Sequence, residues 1–448
     1  MKKSLPFKQL LAIGLMLLSM FLGAGNIIFA PQLGQLAGTN TWVAMAGFLI
    51  TGVGLVLLAI ISLAISGGTV EQLAGLVSKK FGVIFSVMLF LTLGPIYVVP
   101  RTTSVVYEVS LLPAISDFGM NTSIILFIFS LIFIVLTVWL SMTPGKFVDR
   151  LGRIITPVFA VLLILIIGKS FITPMGTIGK PQAPYLDNIF LKGFVEGYYT
   201  MDVLAAFVFG GIFIKAIANE GITAKKDIST TFIKAGIITV IGLALLQLSM
   251  AWIGATSVDA IGMGENGGEI LARSSQYLFG NIGLLIIGTV VFLTGITTNI
   301  ACLSSVAEYF SRTFPKYTYK QWIYMMAFGS LVITNFGLAK ILDLASPVLL
   351  LLYPIAIALI VLSFTHNWFK GYQSVYVGTI AGVGFVAVLD ALKDAGFAVN
   401  FIDETFAFIP LFANGAGWIT TGLIGAAIGI IYAKVKESPK RALPLENQ

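Results

Sequence analysis

Ser19-Met20-Phe21-Leu22-Gly23-Ala24-Gly25-Asn26-Ile27-Ile28-Phe29-Ala30-Pro31 is an apolar run interrupted at its centre by two glycines and an amide. The run belongs to a stretch over residues 8–36, long enough to cross a bilayer as a helix of ~20 residues or more. Inside a bilayer an opened helix is tolerated only where its freed backbone groups find partners or line a cavity. Opened at Gly23 to Gly25, the first half would end in bare carbonyls, which suit a cation. The second half would begin with bare N–H groups and a positive dipole end, which suit a carboxylate. Gly-Ala-Gly also fits a close helix–helix contact with no break. Asn26 favours the break, because an amide at that depth needs partners.

A second run has the same character. Glu196-Gly197-Tyr198-Tyr199-Thr200-Met201-Asp202-Val203-Leu204-Ala205-Ala206 places a carboxylate at the centre of the span 189–214. An ionised Asp there costs roughly 2.5–3.5 kcal/mol on insertion scales, so it faces a polar cavity or bonds neighbouring helices. Read as a second break, it puts Tyr199, Thr200 and Asp202 beside Gly23, Ala24, Gly25 and Asn26 as the lining of a solute site. The two breaks lie five spans apart. Five is odd, so the units 8–172 and 189–364 run in opposite directions, the layout of an inverted repeat with discontinuous helices meeting at mid-membrane.

Working outward, the whole chain is membrane-like. Apolar residues make up 57% of the 448 positions and charged residues 10%, too few charges to clothe a water-facing surface. Twelve apolar runs follow one another at 8–36, 41–65, 84–106, 121–141, 152–172, 189–214, 229–255, 281–310, 321–339, 341–364, 375–394 and 412–433, all expected to be helices. They form one transmembrane domain over 1–448, with residues 375–433 outside the repeat. With the N-terminus inside, 20 of the 27 Lys and Arg residues fall on the cytoplasmic side. Six lie outside (Lys169, Lys180, Lys192, Arg273, Lys340, Lys393), and Arg101 sits within a span. That bias predicts both termini in the cytoplasm. The basic start Met1-Lys2-Lys3-Ser4 lacks a downstream cleavage pattern, so the first run reads as a retained span. The connection 256–280 reads as a flexible linker, with a gating segment as the alternative, and Gly337 to Lys340 as a tight turn.

The remaining residues exclude several classes. Cys302 is the only cysteine and His366 the only histidine. An internal disulfide and a Cys-built metal site are therefore ruled out, His-based metal or triad chemistry is disfavoured, and no HExxH motif is present. No cofactor, nucleic acid or obligatory protein partner is indicated. A secondary transporter of a small polar solute accounts for the paired opposed breaks; an ion channel leaves them unexplained, and an enzyme lacks acid–base groups. Asp343, Asp390 and Glu308 read as interfacial, and His366 as exposed in a cytoplasmic loop. Arg101 reads as snorkelling to the outer surface, or as a gate or partner for Glu108 or Asp202. Glu196 reads as a charge of the outer vestibule.

At three places the sequence resembles the bacterial branched-chain amino acid:cation symporters. They are Gly23-Ala24-Gly25-Asn26-Ile27-Ile28-Phe29 with Leu33-Gly34, Gly94-Pro95 through Pro100-Arg101-Thr102, and Glu196-Gly197-Tyr198 through Thr200-Met201-Asp202. Ala30 departs from the family, which usually carries two prolines after the phenylalanine. The resemblance implies an all-α LeuT-type fold of the amino acid–polyamine–cation superfamily, with two helices beyond the 5+5 repeat. It implies uptake of leucine, isoleucine and valine across a bacterial cytoplasmic membrane, coupled to Na⁺ or H⁺; a LeuT-fold carrier of another solute, such as a nucleobase, is the alternative. By position it implies a cation held by the carbonyls of Ser19, Leu22 and Thr294 and the hydroxyls of Thr297 and Thr298, with a second site at Asn26 and Thr200.

Overall fold

Each of the twelve apolar runs forms a helix in the computed structural model, which describes residues 5–115, 121–142, 144–222 and 225–436. Lys2, Lys3, Lys440 and Arg441, counted among the cytoplasmic charges, lie outside the described residues. Every regular element among the described residues is helical. Span one is split into Phe7–Phe21 and Ala24–Ala37. Span two runs from Thr41–Leu49 through a π turn at Ile50–Gly54 into Leu55–Ile65. Span three is Lys79–Leu91 and Val98–Ser110, joined across Thr92–Ile96. Spans four and five are Thr122–Ser141 and Pro144–Ile172. Span six is split into Ile189–Glu196 and Asp202–Asn219 by a 3₁₀ turn at Gly197–Thr200. Spans seven to twelve are Lys225–Ile261, Asn281–Thr313, Tyr319–Thr334, Leu338–Thr365, Gln373–Asp394 and Gly417–Lys436.

The glycines decide how these helices pack. A Cβ on Gly254 of span seven would stand 2.0 Å from the Pro31 carbonyl of span one, and one on Gly34 2.2 Å from the Ala251 carbonyl. Spans two and six meet in the same way, at Gly193 against Ala44 (1.9 Å) and Gly47 against Phe190 (2.1 Å). Backbone thus lies on backbone, the contact small residues allow where lipid supplies no hydrophobic drive. Spans three and eight pack less closely, Gly295 facing the side chains of Val106 and Thr102 and a Cβ on Gly288 standing 3.2 Å from the Ser110 Cα.

Three expectations are corrected. The connection 256–280 is not a plain linker: Gly267–Phe279 is a helix whose first turn is capped by Asn266 Oδ1, which accepts from Glu269 N–H at 3.0 Å. Its glycines serve close approach, since a Cβ on Gly267 would overlap the Ile28 carbonyl of span one. The turn between spans nine and ten comes earlier than Gly337 to Lys340. Gly337 closes it at φ +84°, and Lys340 already lies in span ten. His366 is buried, with Nδ1 2.8 Å from the Tyr376 hydroxyl of span eleven. Asp343 and Glu308 are exposed, and Asp390 is buried.

Candidate functional site

The first half of span one ends at Phe21, Gly23 is extended (φ −95°, ψ −177°), and the second half starts at Ala24. The chain passes through without a covering side chain because Gly23 has none. Phe21's carbonyl, stripped of its helical donor, accepts from Gly23 N–H at 2.6 Å and from Asn26 Nδ2 at 2.5 Å. The first N–H groups of the second half have no partner within their own helix. Gly23, Gly25 and Asn26 are all buried.

Span six breaks at the matching depth. Met201 takes a left-handed conformation (φ 67°, ψ 13°), and Asp202 is the first residue of the helix that follows. A carboxylate in the first turn meets the positive dipole end, which offsets part of its burial. Asp202 Oδ1 accepts from Asn26 Nδ2 at 3.0 Å, joining the two breaks. Gln247 of span seven donates its amide to Asn26 Oδ1. Asn26 therefore ties spans one, six and seven together, the partners its depth required. Asp202 Oδ2 is buried without a protein partner. Thr200's hydroxyl donates to Gly197's carbonyl at 2.9 Å, while its own carbonyl faces Gly25. Tyr199 points away from the break: its hydroxyl meets Ser346 Oγ at 3.0 Å and its ring lies against Phe29.

A third break was not anticipated. In span three Gly94 leaves helical geometry (φ −93°, ψ −112°) ahead of Pro95. A Gly-Pro pair in mid-span is the signal, since proline has no N–H to continue the ladder. The bend brings Arg101 inward. Only 2% exposed, Arg101 does not snorkel to a surface. Nη1 donates to the Tyr97 hydroxyl at 3.0 Å and to the Tyr199 carbonyl at 2.7 Å. The guanidinium also lies over the rings of Tyr97 (4.6 Å) and Phe29 (5.7 Å). Neither Glu108 nor Asp202 pairs with it; Glu108 accepts from Asn266 at 3.1 Å.

The three breaks enclose a small central cavity, lined by Phe21, Gly25, Arg101, Asp202, Phe209 and Thr298 among others. Its free volume is about 20 Å³, enough for one water. Wider pockets flank it. One of about 250 Å³ holds Gln32, Glu196, Tyr199 and Ser346, with Glu196 bridged to Lys192 at 3.0 Å. The other, about 280 Å³ on the face where span one begins, holds Glu71, Phe207, Glu308 and Arg312.

The two hydroxyls named for a cation divide. Thr297 donates to the carbonyls of Leu293 and Thr294; the side chains of Thr294 and Ser19, whose carbonyls were named, donate to those of Val290 and Met16. Such bonds to a residue's own helix are common for Ser and Thr in spans. Thr298 Oγ1 is different: it is buried, lacks a partner, and lies 3.3 Å from where a Cβ on Gly23 would stand. It thus abuts the break that exposes the last carbonyls of the first half-helix, Leu22's among them.

Residues 6–436 match the family model described as "Branched-chain amino acid transport protein". The chain belongs to that family. It is 42% identical to the branched-chain amino acid permease BraB of Bacillus subtilis (strain 168), over 96% of this chain and 97% of that one. It is 34% identical to the branched-chain amino acid transport system 2 carrier protein of Pseudomonas aeruginosa, over 97% and 98%. With the permease BrnQ of Escherichia coli (strain K12) it shares 32%, over 96% and 97%. These relatives are transport proteins, not enzymes. Among solved structures it resembles Mhp1, a nucleobase-cation-symport-1 family transporter in a closed conformation with bromovinylhydantoin bound (TM-score 0.61, 14% identity, 95% of this chain and 92% of that chain). It also resembles MhsT in complex with L-phenylalanine (TM-score 0.55, 16%, 95% and 98%). At such identities the likeness concerns the fold, which is LeuT-type.

Proposed function

We propose that this chain imports leucine, isoleucine and valine across the bacterial cytoplasmic membrane, together with Na⁺ or H⁺. The observation carrying this reading is the meeting of three helix breaks at one buried cavity, with Asn26 bonded to Asp202 across it. Ala24 and Gly25 offer backbone donors for a carboxylate, and Gly23, whose own N–H is held by the Phe21 carbonyl, leaves the way to them open. Asn26, Thr200 and Asp202 offer polar partners, while Tyr199, turned to Ser346, contributes the carbonyl that holds Arg101. Apolar walls distinguish one methylene by only ~1–3 kcal/mol, so one site serves all three side chains. One co-transported cation gains about 2.3 kcal/mol per 100 mV, worth roughly fifty-fold accumulation of a neutral zwitterion. We assign 8–172 and 189–364 as inverted repeats with 375–433 appended, and both termini to the cytoplasm, on the Lys and Arg distribution.

The test is uptake of labelled leucine into proteoliposomes, with Na⁺ replaced by choline at two pH values. Excess isoleucine or valine should suppress the signal. Labelled uptake that ignores all three competitors sinks the substrate assignment. Loss of uptake in choline identifies Na⁺, dependence on the pH gradient identifies H⁺, and indifference to both removes coupling.

The proposed cation site rests most on Thr298, with the Ser19, Leu22 and Thr294 carbonyls as further ligands; Thr297 would join only by giving up its bonds to Leu293 and Thr294. Thr298→Ala should raise the KM for Na⁺ about tenfold or more, while the melting temperature moves by no more than a few degrees. Uptake titrated with Na⁺ measures it; an unchanged Na⁺ dependence removes Thr298 from the site.

A further inference from the structure

Arg101 is a buried cation with no anionic partner: the ion pairs among the described residues do not include it, and neither Asp202 nor Glu108 lies within pairing distance. Both of its hydrogen bonds leave from Nη1. Nε is buried and unpartnered, and Nη2 lies 2.8 Å from where a Cβ on Gly25 would stand. Nε and Nη2 form one edge of the guanidinium, the planar fork that fits both oxygens of a carboxylate. Here that edge is free of protein acceptors, and Nη2 abuts the residue whose neighbours begin the second half of span one. On the same cavity, Asp202 has Oδ1 occupied by Asn26 and Oδ2 open. The cavity therefore carries one open edge of each sign, held apart.

We propose that Arg101 binds the substrate carboxylate through its Nε and Nη2 edge while Asp202 Oδ2 takes the ammonium group. The Tyr97 hydroxyl and the Tyr199 carbonyl hold Nη1, which keeps the guanidinium plane in place and the fork turned to Gly25. The pair recognises the two charges every α-amino acid shares; the apolar wall then selects the side chain. This assignment rests on the amino acid reading of the site.

Three probes separate the charges: L-leucine, L-leucinamide, which lacks the carboxylate, and 4-methylpentanoate, which lacks the amine. Their dissociation constants are measured on the purified full-length protein, wild type and variant. Wild type should prefer leucine to leucinamide. Arg101→Gln should weaken leucine at least about 30-fold while leucinamide binds within about twofold of wild type, so the discrimination collapses. Arg101→Lys keeps the charge but loses the fork, and should shift the same ratio where the neutral variant does not fold. Asp202→Asn should weaken leucine and spare 4-methylpentanoate. The proposal is overturned by an Arg101→Gln protein that binds leucine as wild type does, or one that loses leucine and leucinamide alike. Failure of the wild type to bind leucine, isoleucine or valine would instead bring down the functional reading itself.

Discussion

Gly25→Leu should reach the membrane in normal amount and bind no substrate. The added Cβ would stand 2.8 Å from Arg101 Nη2 and 3.0 Å from the Thr200 carbonyl. The guanidinium can shift only by giving up its bonds to Tyr97 and Tyr199. The carbonyl cannot, because it belongs to the turn that breaks span six. Three further carbons then enter a cavity with about 20 Å³ of free space. Overpacking of this kind typically costs ~1–3 kcal/mol of stability, which a well-packed helical bundle survives. The loss should therefore appear in binding, by more than about 100-fold, and not in expression. Gly25→Ala should fall between, since its one carbon crowds Arg101 Nη2 and the Thr200 carbonyl but adds nothing further to the cavity. Equal elution profiles on size exclusion, with binding lost in the leucine variant alone, check the expectation. Normal uptake by Gly25→Leu would remove this residue from the site.

The second large effect belongs to Asn26→Leu, a change of similar volume. It strips a donor from Asp202 Oδ1 and from the Phe21 carbonyl, and an acceptor from Gln247. An interhelical hydrogen bond in a membrane protein averages only about 0.6 kcal/mol. Here the cost is greater, because buried groups lose partners without being removed, at roughly 1–3 kcal/mol each. A fall in melting temperature and loss of uptake should both follow. The double variant Asn26→Leu with Asp202→Leu separates the causes. Removing the orphaned carboxylate should recover part of the stability, whereas transport should stay lost because Asp202 is gone. A double variant no more stable than the single one would mean that Asp202 does not depend on Asn26.

The helices were legible because lipid demands long apolar runs, and the two principal breaks because a glycine pair, an amide and a carboxylate are out of place inside them. Asn26 announced its need for partners; which partners it takes follows from how spans one, six and seven rotate against each other. The same limit explains the threonines. Thr297 and Thr298 carry the same hydroxyl about 100° apart around one helix, and only the packing of span eight turns Thr298, rather than Thr297, to the break. Glycine was ambiguous throughout. Gly262 to Gly268 read as flexibility, yet Gly267 serves to let two backbones touch. The sequence position of Arg101 gives its depth along span three but not the bend at Gly94 and Pro95 that turns it inward, away from a snorkelling position.

The glycine contacts have a mechanical meaning. Spans one and seven, and spans two and six, are welded at the backbone, where nothing can slide without lifting apart. Asn26 and its bonds to Asp202 and Gln247 fasten the two pairs into one block. Arg101 and Thr298 belong to spans three and eight, which meet this block by way of side chains, surfaces that can shear. A bound molecule gripping Arg101 on one side and Asp202 on the other is a rivet through that seam. Its grip strength and the tilt of the block become a single thermodynamic quantity, so a variant that loosens the block should weaken substrate binding without touching the substrate.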